Sequence, residues 1–319
     1  MKGIKKIIRW VLQYDAINFL VRDLLRFCLQ SSIISFSQKK IIEDKVCWGI
    51  PAVNIEKFTI RCFDNKKIKM NGPIASSELR DLYWWGLYAF ECETSAVFWK
   101  LAKRAKVFFD VGANVGYYSL LGAKANPELE VYAFEPVSEI CQVLKSNIAL
   151  NWFNNIVVEE KAITDETQMV QIFVPSGNIT SASLNPNFHA NENRSQREVA
   201  GIKLDDYILQ KRIPMPDLIK IDVETAELQV LKGMSSILEN AGPIIICEIL
   251  GEPYGSLITE FLVPFGYKFY FIVDNQLIHM DKIKRDDTIE WKSKQKTPFN
   301  NFLFTRDALN RERLKASLT

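Results

Sequence analysis

From residue 106 onward, short β-rich runs alternate with helical stretches, and few folds satisfy that rhythm. Strand-like runs fall at 106–110, 130–134, 155–160, 217–222, 243–248, 267–272 and 302–305, and helical patterns fill 116–125, 138–150, 226–239 and 255–263. Parallel strands need a crossover between them, usually a helix, so the alternation predicts βαβ units and a doubly wound, mostly parallel α/β sheet. Runs such as Val107-Phe108-Phe109 are apolar without alternation, as strands buried on both faces require. One interruption breaks the pattern. Val170, Ile172 and Val174 alternate with polar neighbours, a polar stretch follows from Pro175 to Glu198, and 199–203 is again extended. This predicts an added hairpin with a long loop, and long loops in compact domains tend to carry function.

The stretch Asp110-Val-Gly-Ala-Asn-Val-Gly-Tyr-Tyr-Ser119 is the most informative part of the chain. An apolar strand ends in an acid, and a glycine-containing turn then opens a helix. Gly112 and Gly116 let the backbone turn sharply and approach a ligand closely. Open α/β sheets bind ligands outside the carboxyl ends of their strands. The dinucleotide pattern GxGxxG is absent, since Asn114 and Tyr117 stand where glycines are needed. An acid at the strand end repels a pyrophosphate and suits a cation, such as the sulfonium and amino group of S-adenosylmethionine. The next strand ends in Phe134-Glu135-Pro136, and an acid there is placed to bind a ribose diol.

Together with the run DLIKIDVETAELQVLKG at 217–233 and PIIICE at 243–248, these motifs resemble the FkbM family of S-adenosylmethionine-dependent methyltransferases. The resemblance covers roughly residues 90–306 and includes SASL at 181–184 and LDDYI at 204–208. It implies a class I, Rossmann-like fold, with a seven-stranded sheet whose last strand is antiparallel. It further implies that Asp110, Gly112, Ala113, Asn114, Gly116 and Tyr117 frame the methionine end of the cofactor. Glu135 and Pro136 would hold the ribose, Ala162 and Ile163 would border the adenine, and Asp165 would partner its amino group. Asp222 and Glu224 reach the same rim. The family's Val-Glu-Gly reads Val223-Glu224-Thr225 here, and a β-branched residue dislikes the positive φ that glycine permits.

An O-methyltransferase acting on a hydroxyl of a sugar, glycan or secondary metabolite is the reading that follows. Positioning would supply most of the catalysis, up to ~7–11 kcal/mol, and a base would remove the acceptor proton. Asp222 and Glu224 are the favoured bases, with Glu248 and His189 of the long loop as alternatives. Clustered acids also admit Mg2+ as a less favoured alternative. With 40 Lys and Arg against 38 Asp and Glu, the net charge of +2 disfavours a nucleic-acid acceptor. A methyltransferase of RNA or protein, or an inactive scaffold of the same fold, are the competing readings.

Residues 3–30 carry apolar positions at helical spacing (Ile4, Ile7, Ile8, Val11), and residues 1–95 read as a mainly helical extension before a methyltransferase domain at 96–310 and a tail at 311–319. The roles open to that extension are a cap over the acceptor pocket, a homodimer interface and a peripheral membrane anchor. Its polar face mixes both charge signs, which favours packing on its own domain. Arg9, Asp15, Arg22, Asp23 and Arg26 interrupt the apolar run, so neither a signal sequence nor a transmembrane segment is expected, and the expected location is cytoplasmic. The six cysteines show no CxxC pair and are expected to be reduced and mostly buried.

Overall fold

The computed structural model of the protein describes residues 57–72, 79, 82–83, 86–88, 91–176, 179–188, 190–191, 193–250, 253–273, 276–283 and 301–306. The amphipathic stretch at 3–30, the tail at 311–319 and His189 lie outside the described residues.

In chain order the elements are β1 (Phe58–Arg61), β2 (Lys67–Met70), α1 (Cys92–Ala102), β3 (Val107–Val111), α2 (Tyr117–Ala125), β4 (Glu130–Phe134), α3 (Ser138–Leu150), β5 (Ile156–Glu159), β6 (Ala162–Ile163), β7 (Met169–Pro175), β8 (Arg194–Ile202), α4 (Leu204–Lys211), β9 (Leu218–Ile221), α5 (Glu227–Lys232), α6 (Ser235–Asn240), β10 (Ile244–Glu248), α7 (Tyr254–Leu262), β11 (Lys268–Val273), β12 (Gln276–Met280) and β13 (Asn301–Thr305). The main sheet runs β12-β11-β13-β10-β9-β3-β4-β5. Its β5, β4, β3, β9 and β10 are parallel to one another, and β13 slots antiparallel between β10 and β11. The expected doubly wound, mostly parallel sheet is therefore present. Among the described residues it has eight strands rather than seven, because β12 pairs antiparallel onto the edge at β11. Strand β12 gave no signal in the sequence, since its side chains are mostly exposed and show no apolar alternation.

Alternation along each strand sorts its side chains into two cores. Phe108, Leu218 and Ile246 face the layer holding Phe98 of α1 and Leu120 and Leu121 of α2. Phe109, Ile219 and Ile245 face the opposite layer, with Tyr207 of α4, Val230 of α5 and Ile258 of α7. Phe109, Tyr132, Phe134 and Tyr207 meet edge to face, with ring centroids 4.9–6.4 Å apart. Each such fully buried ring contributes about 1.5–3 kcal/mol of transfer free energy. The antiparallel β1–β2 hairpin lies in the stretch assigned to the N-terminal extension, yet its Ile60, Ile68 and Met70 join the first of these cores.

The expected hairpin is also present and longer than its sequence pattern suggested. β7 and β8 pair antiparallel from Met169↔Ala200 to Pro175↔Arg194, and β6 adds in parallel to β8. The single helix expected over 226–239 is two, α5 and α6, meeting at Gly233-Met234. A Cβ on Gly233 would lie 2.0 Å from the Thr164 carbonyl oxygen, so the backbone passes where only glycine fits. The LDDYI segment forms the start of α4, and Asp205 caps α6 by accepting from Ser236 and Ile237 N–H groups at 2.9 and 3.1 Å. Cys62, Cys141 and Cys247 are buried and Cys92 is partly buried, all four as free thiols. No helix among the described residues is long and apolar enough to cross a membrane.

Candidate active site

The strand order reverses beside β3: the chain proceeds outward through β4 and β5, then returns to lay β9 on the other side. A crevice must open at such a switch point, outside the strands' carboxyl ends. The cleft found there has about 900 Å³ of open space, its solvent-filled mouth included. Asp110, Gly112, Ala113, Asn114 and Tyr117 line it from the β3 side, Glu135 and Pro136 from the end of β4, and Asp222 and Glu224 from the end of β9. Ala162 and Ile163 of β6 complete the residues expected from the sequence. Gly116 and Asp165 stand outside the lining. Gly116 (φ 94°) caps α2, and a Cβ there would meet Leu144 of α3 rather than the cleft. Asp165 lies beyond the buried Thr164, whose hydroxyl turns back to the Glu166 carbonyl at 2.5 Å.

The turn after β3 is shaped by what crosses it. Gly112 has φ 81°, and a Cβ at that position would lie 1.8 Å from the Asp222 carbonyl oxygen. Gly112 and Ala113 donate their N–H groups to Phe134 O at 3.0 and 2.9 Å, tying the turn to the end of β4. Glu135 Oε2 accepts from Asn114 N–H at 3.0 Å and Glu135 Oε1 from Val137 N–H at 2.9 Å. Burial pushes the Glu135 carboxyl up to about 7, although these two bonds pull the other way and Asp110 adds a little. Asp110 is likewise pushed up by burial, to about 6, against the Ser119 hydroxyl that donates to its Oδ2 at 2.5 Å and the nearby Lys220.

Lys220 was not singled out from the sequence, and the structure makes it the electrostatic centre of the site. Strand register sets Lys220 opposite Asp110, on the face that carries Phe108 and Leu218. The side chain is buried, with Nζ 2.9 Å from Asp222 Oδ2 and 5.2 Å from the Tyr118 ring centroid. Burial opposes its charge, but the carboxyls of Asp222, Glu91 and Glu248 outweigh that and hold the ammonium protonated. Glu91, ahead of α1, accepts from the Tyr118 hydroxyl and from Asn301 Nδ2, the latter at 3.0 Å. Burial raises the carboxyls of Glu91 and Glu248. The signal was available: Lys220 is the one charge between Leu218-Ile219 and Ile221 in a central strand, and a buried charge requires partners.

Glu224 projects into the cleft from a left-handed backbone (φ 53°), followed by Thr225 at φ 78°. Burial, then Asp222 and Glu227, push the Glu224 carboxyl up to about 8. The loop between β7 and β8 supplies a further part of the wall. Thr180, Ala182, Ser183 and Leu184 all face the cleft, three of them from the SASL segment. Among the described residues no group of three or more His, Cys, Asp or Glu is arranged to hold a metal ion.

A family model described as the methyltransferase FkbM domain matches residues 110–269, just over half of the chain. The hexuronic acid methyltransferase AglP of Haloferax volcanii is 26% identical over 46% of this chain and 56% of its own length. The 31-O-demethyl-FK506 methyltransferase FkbM of Streptomyces tacrolimicus is 27% identical over 40% of this chain and 59% of its own. The chain thus spans less than three fifths of the length of these curated relatives. Among solved structures, a methyltransferase FkbM from Methylobacillus flagellatus KT aligns over 63% of this chain and 43% of its own, at 16% identity and a TM-score of 0.41. The matched region begins at Asp110 and contains the glycine turn, Glu135, Lys220 and the Asp222–Thr225 turn, and on it the chain belongs to the FkbM methyltransferase family.

Proposed function

We propose that the protein is an S-adenosylmethionine-dependent O-methyltransferase whose acceptor is a hydroxyl of a sugar, glycan or secondary metabolite. One observation carries the reading: acids at the ends of three adjacent parallel strands, Asp110, Glu135 and Asp222, converge with Glu224 on one cleft around a glycine turn. That donor set fits the cofactor. Acidic groups suit a cation and a diol, and the Gly112 turn leaves backbone where a Cβ would collide. When bound, S-adenosylmethionine supplies an electrophilic methyl group on a sulfonium with a good leaving group.

The chain's own residues would do the rest. Asp110, Ala113, Asn114 and Tyr117 bind the amino acid end, Glu135 and Pro136 the ribose, and Ala162 and Ile163 the adenine. Asp222 is committed to its ion pair with Lys220, so we assign the acceptor proton to Glu224, which lines the same cleft. A base of this kind contributes typically ~10²–10⁴-fold, and one poised near the working pH contributes most. One matched relative is by name a methyltransferase of a hexuronic acid and another of 31-O-demethyl-FK506, which supports a carbohydrate or small-molecule acceptor for this chain. Calorimetric titration with S-adenosylmethionine tests the reading. Binding to wild type, much weakened in Asp110→Ala, is expected; no binding to wild type, or unchanged binding in the variant, overturns it.

A further inference from the structure

The turn after β9 holds two successive residues in the left-handed region, Glu224 at φ 53° and Thr225 at φ 78°. That region is disfavoured for any residue with a Cβ and most of all for a β-branched one. Such a turn persists only where its surroundings over-determine it. Here they do. Thr225 N–H donates to Glu227 Oε1 at 3.1 Å, and the Ser183 hydroxyl donates to Glu224 O at 2.5 Å. Asn185 Nδ2 donates to Thr225 Oγ1 and to Tyr254 Oη, both at 2.8 Å. One amide therefore joins the β7–β8 loop to the β9 turn and to the first residue of α7. Asn185 is itself oriented, since its N–H donates to Ser183 Oγ and its Oδ1 accepts from Asn187 N–H, both at 2.9 Å.

The other end of the same loop has a separate tie, from Asn114 Nδ2 to Thr180 O at 3.2 Å. Residues 179–188 thus bridge the two turns that flank the cleft, attached to the β3 turn near Thr180 and to the β9 turn near Asn185. Thr180, Ala182, Ser183 and Leu184 line the cleft between these ties.

We propose that Asn185 is a positioning residue that, through the Thr225 hydroxyl, fixes the acceptor-side rim of the cleft and holds the Glu224 turn and the loop above it as one unit. Thr225 is then a compensated departure from the family's glycine. Its hydroxyl supplies an anchor that glycine lacks, in exchange for a strained backbone. The proposal rests on the methyl-transfer reading only in naming that rim as the acceptor's; the clamp itself stands on the contacts.

The experiment uses the full chain and three variants: Thr225→Val, which keeps shape and loses the hydroxyl, Thr225→Ser, which keeps the hydroxyl, and Asn185→Ala. Amide hydrogen exchange is followed over 179–188 and 223–227, the Glu224 carboxyl is titrated by NMR in 13C-glutamate-labelled protein, and S-adenosylhomocysteine affinity is measured by calorimetry. Thr225→Val should accelerate exchange in both segments roughly tenfold, as for loss of one hydrogen bond. Asn185→Ala should do so at least as much, because it also loses the bonds to Tyr254 and Asn187, and the double variant should be no worse than Asn185→Ala alone. In both variants the Glu224 titration should move down from about 8 toward the ordinary carboxylate range, as water reaches a group now crowded by Asp222 and Glu227 beside Lys220. Thr225→Ser should behave as wild type, and S-adenosylhomocysteine affinity should hold in all variants. Thr225→Val indistinguishable from wild type, strictly additive effects in the double variant, or loosening that extends equally to β4 and α2 would each overturn the clamp. If wild type fails to bind S-adenosylhomocysteine, the methyltransferase reading fails while exchange and titration still decide the clamp.

Discussion

The backbone N–H of Asn114 donates to Glu135 Oε2 at 3.0 Å, so the turn after β3 and the acid after β4 form one bonded unit. Glu135 also accepts from Val137 N–H. Glu135→Ala leaves both donors without that acceptor, at about 1–3 kcal/mol for each that stays dry. Glu135→Gln keeps one carbonyl acceptor and should cost less stability, while still weakening S-adenosylhomocysteine binding. Urea denaturation and calorimetry on the two variants check this; wild-type affinity in Glu135→Gln would show that the carboxylate does not contact the ligand.

Proton uptake should be visible in both stability and binding. The folded chain holds a proton on Glu135 up to about pH 7 and on Asp110 up to about pH 6, whereas in the unfolded chain both ionise near pH 4. Between those limits the native state binds more protons, so these groups make stability fall as pH rises from about 4 to 7. A ligand that needs the ionised forms binds better over the same range, at about tenfold per pH unit for one obligatory ionisation. Stability difference curves of wild type against Glu135→Gln, and S-adenosylhomocysteine affinity between pH 5.5 and 7.5, are the measurements. A pH-independent affinity contradicts the assignment.

Lys220 offsets the carboxyls of Asp222, Glu91 and Glu248. Replacing it by Met removes the partner of Asp222 and leaves Glu91 and Glu248 facing an apolar chain. Breaking a fully buried pair costs about 3–5 kcal/mol, and less is expected here because the Asp222 side chain is 29% exposed. Glu91 and Glu248 have raised pKa values and protonate early as pH falls, so the penalty should shrink at pH 5 relative to pH 7.5. Denaturation of both proteins at the two pH values decides the matter; an equal loss at both would mean that packing, and not charge, is what Lys220 provides.

What the sequence disclosed depended on how local each signal was. The β3–α2 and β4 ends were legible because Gly112, Asp110 and Glu135 act within a few residues of a strand end, where spacing and residue type carry the geometry. Lys220 was hidden in plain view: strand periodicity treats Leu218–Ile221 as a run, while its meaning comes from register against Asp110 and from Glu91, Asn301 and Glu248 far along the chain. Ser183 and Asn185 sit in a polar loop with no periodicity, and only tertiary placement shows that they hold Glu224 and Thr225. The need for glycine at 233 is hidden for a similar reason, since the Thr164 carbonyl that excludes a Cβ there belongs to a distant turn.

Two glycines in equally tight places should respond differently to alanine. At Gly112 the new methyl would lie 1.8 Å from Asp222 O in a left-handed backbone, and at Gly233 it would lie 2.0 Å from Thr164 O in an ordinary helical one. Gly233→Ala therefore brings overpacking alone, at about 1–3 kcal/mol. Gly112→Ala adds roughly 1–2 kcal/mol for the left-handed conformation and drives the β3 turn away from the β9 turn, in the wall of the cleft itself. The melting temperature should drop in both, more in Gly112→Ala. At a temperature where both remain folded, Gly233→Ala should bind S-adenosylhomocysteine as wild type does, and Gly112→Ala should have lost most of its affinity. Wild-type affinity in Gly112→Ala would show that the ligand does not lie against that turn.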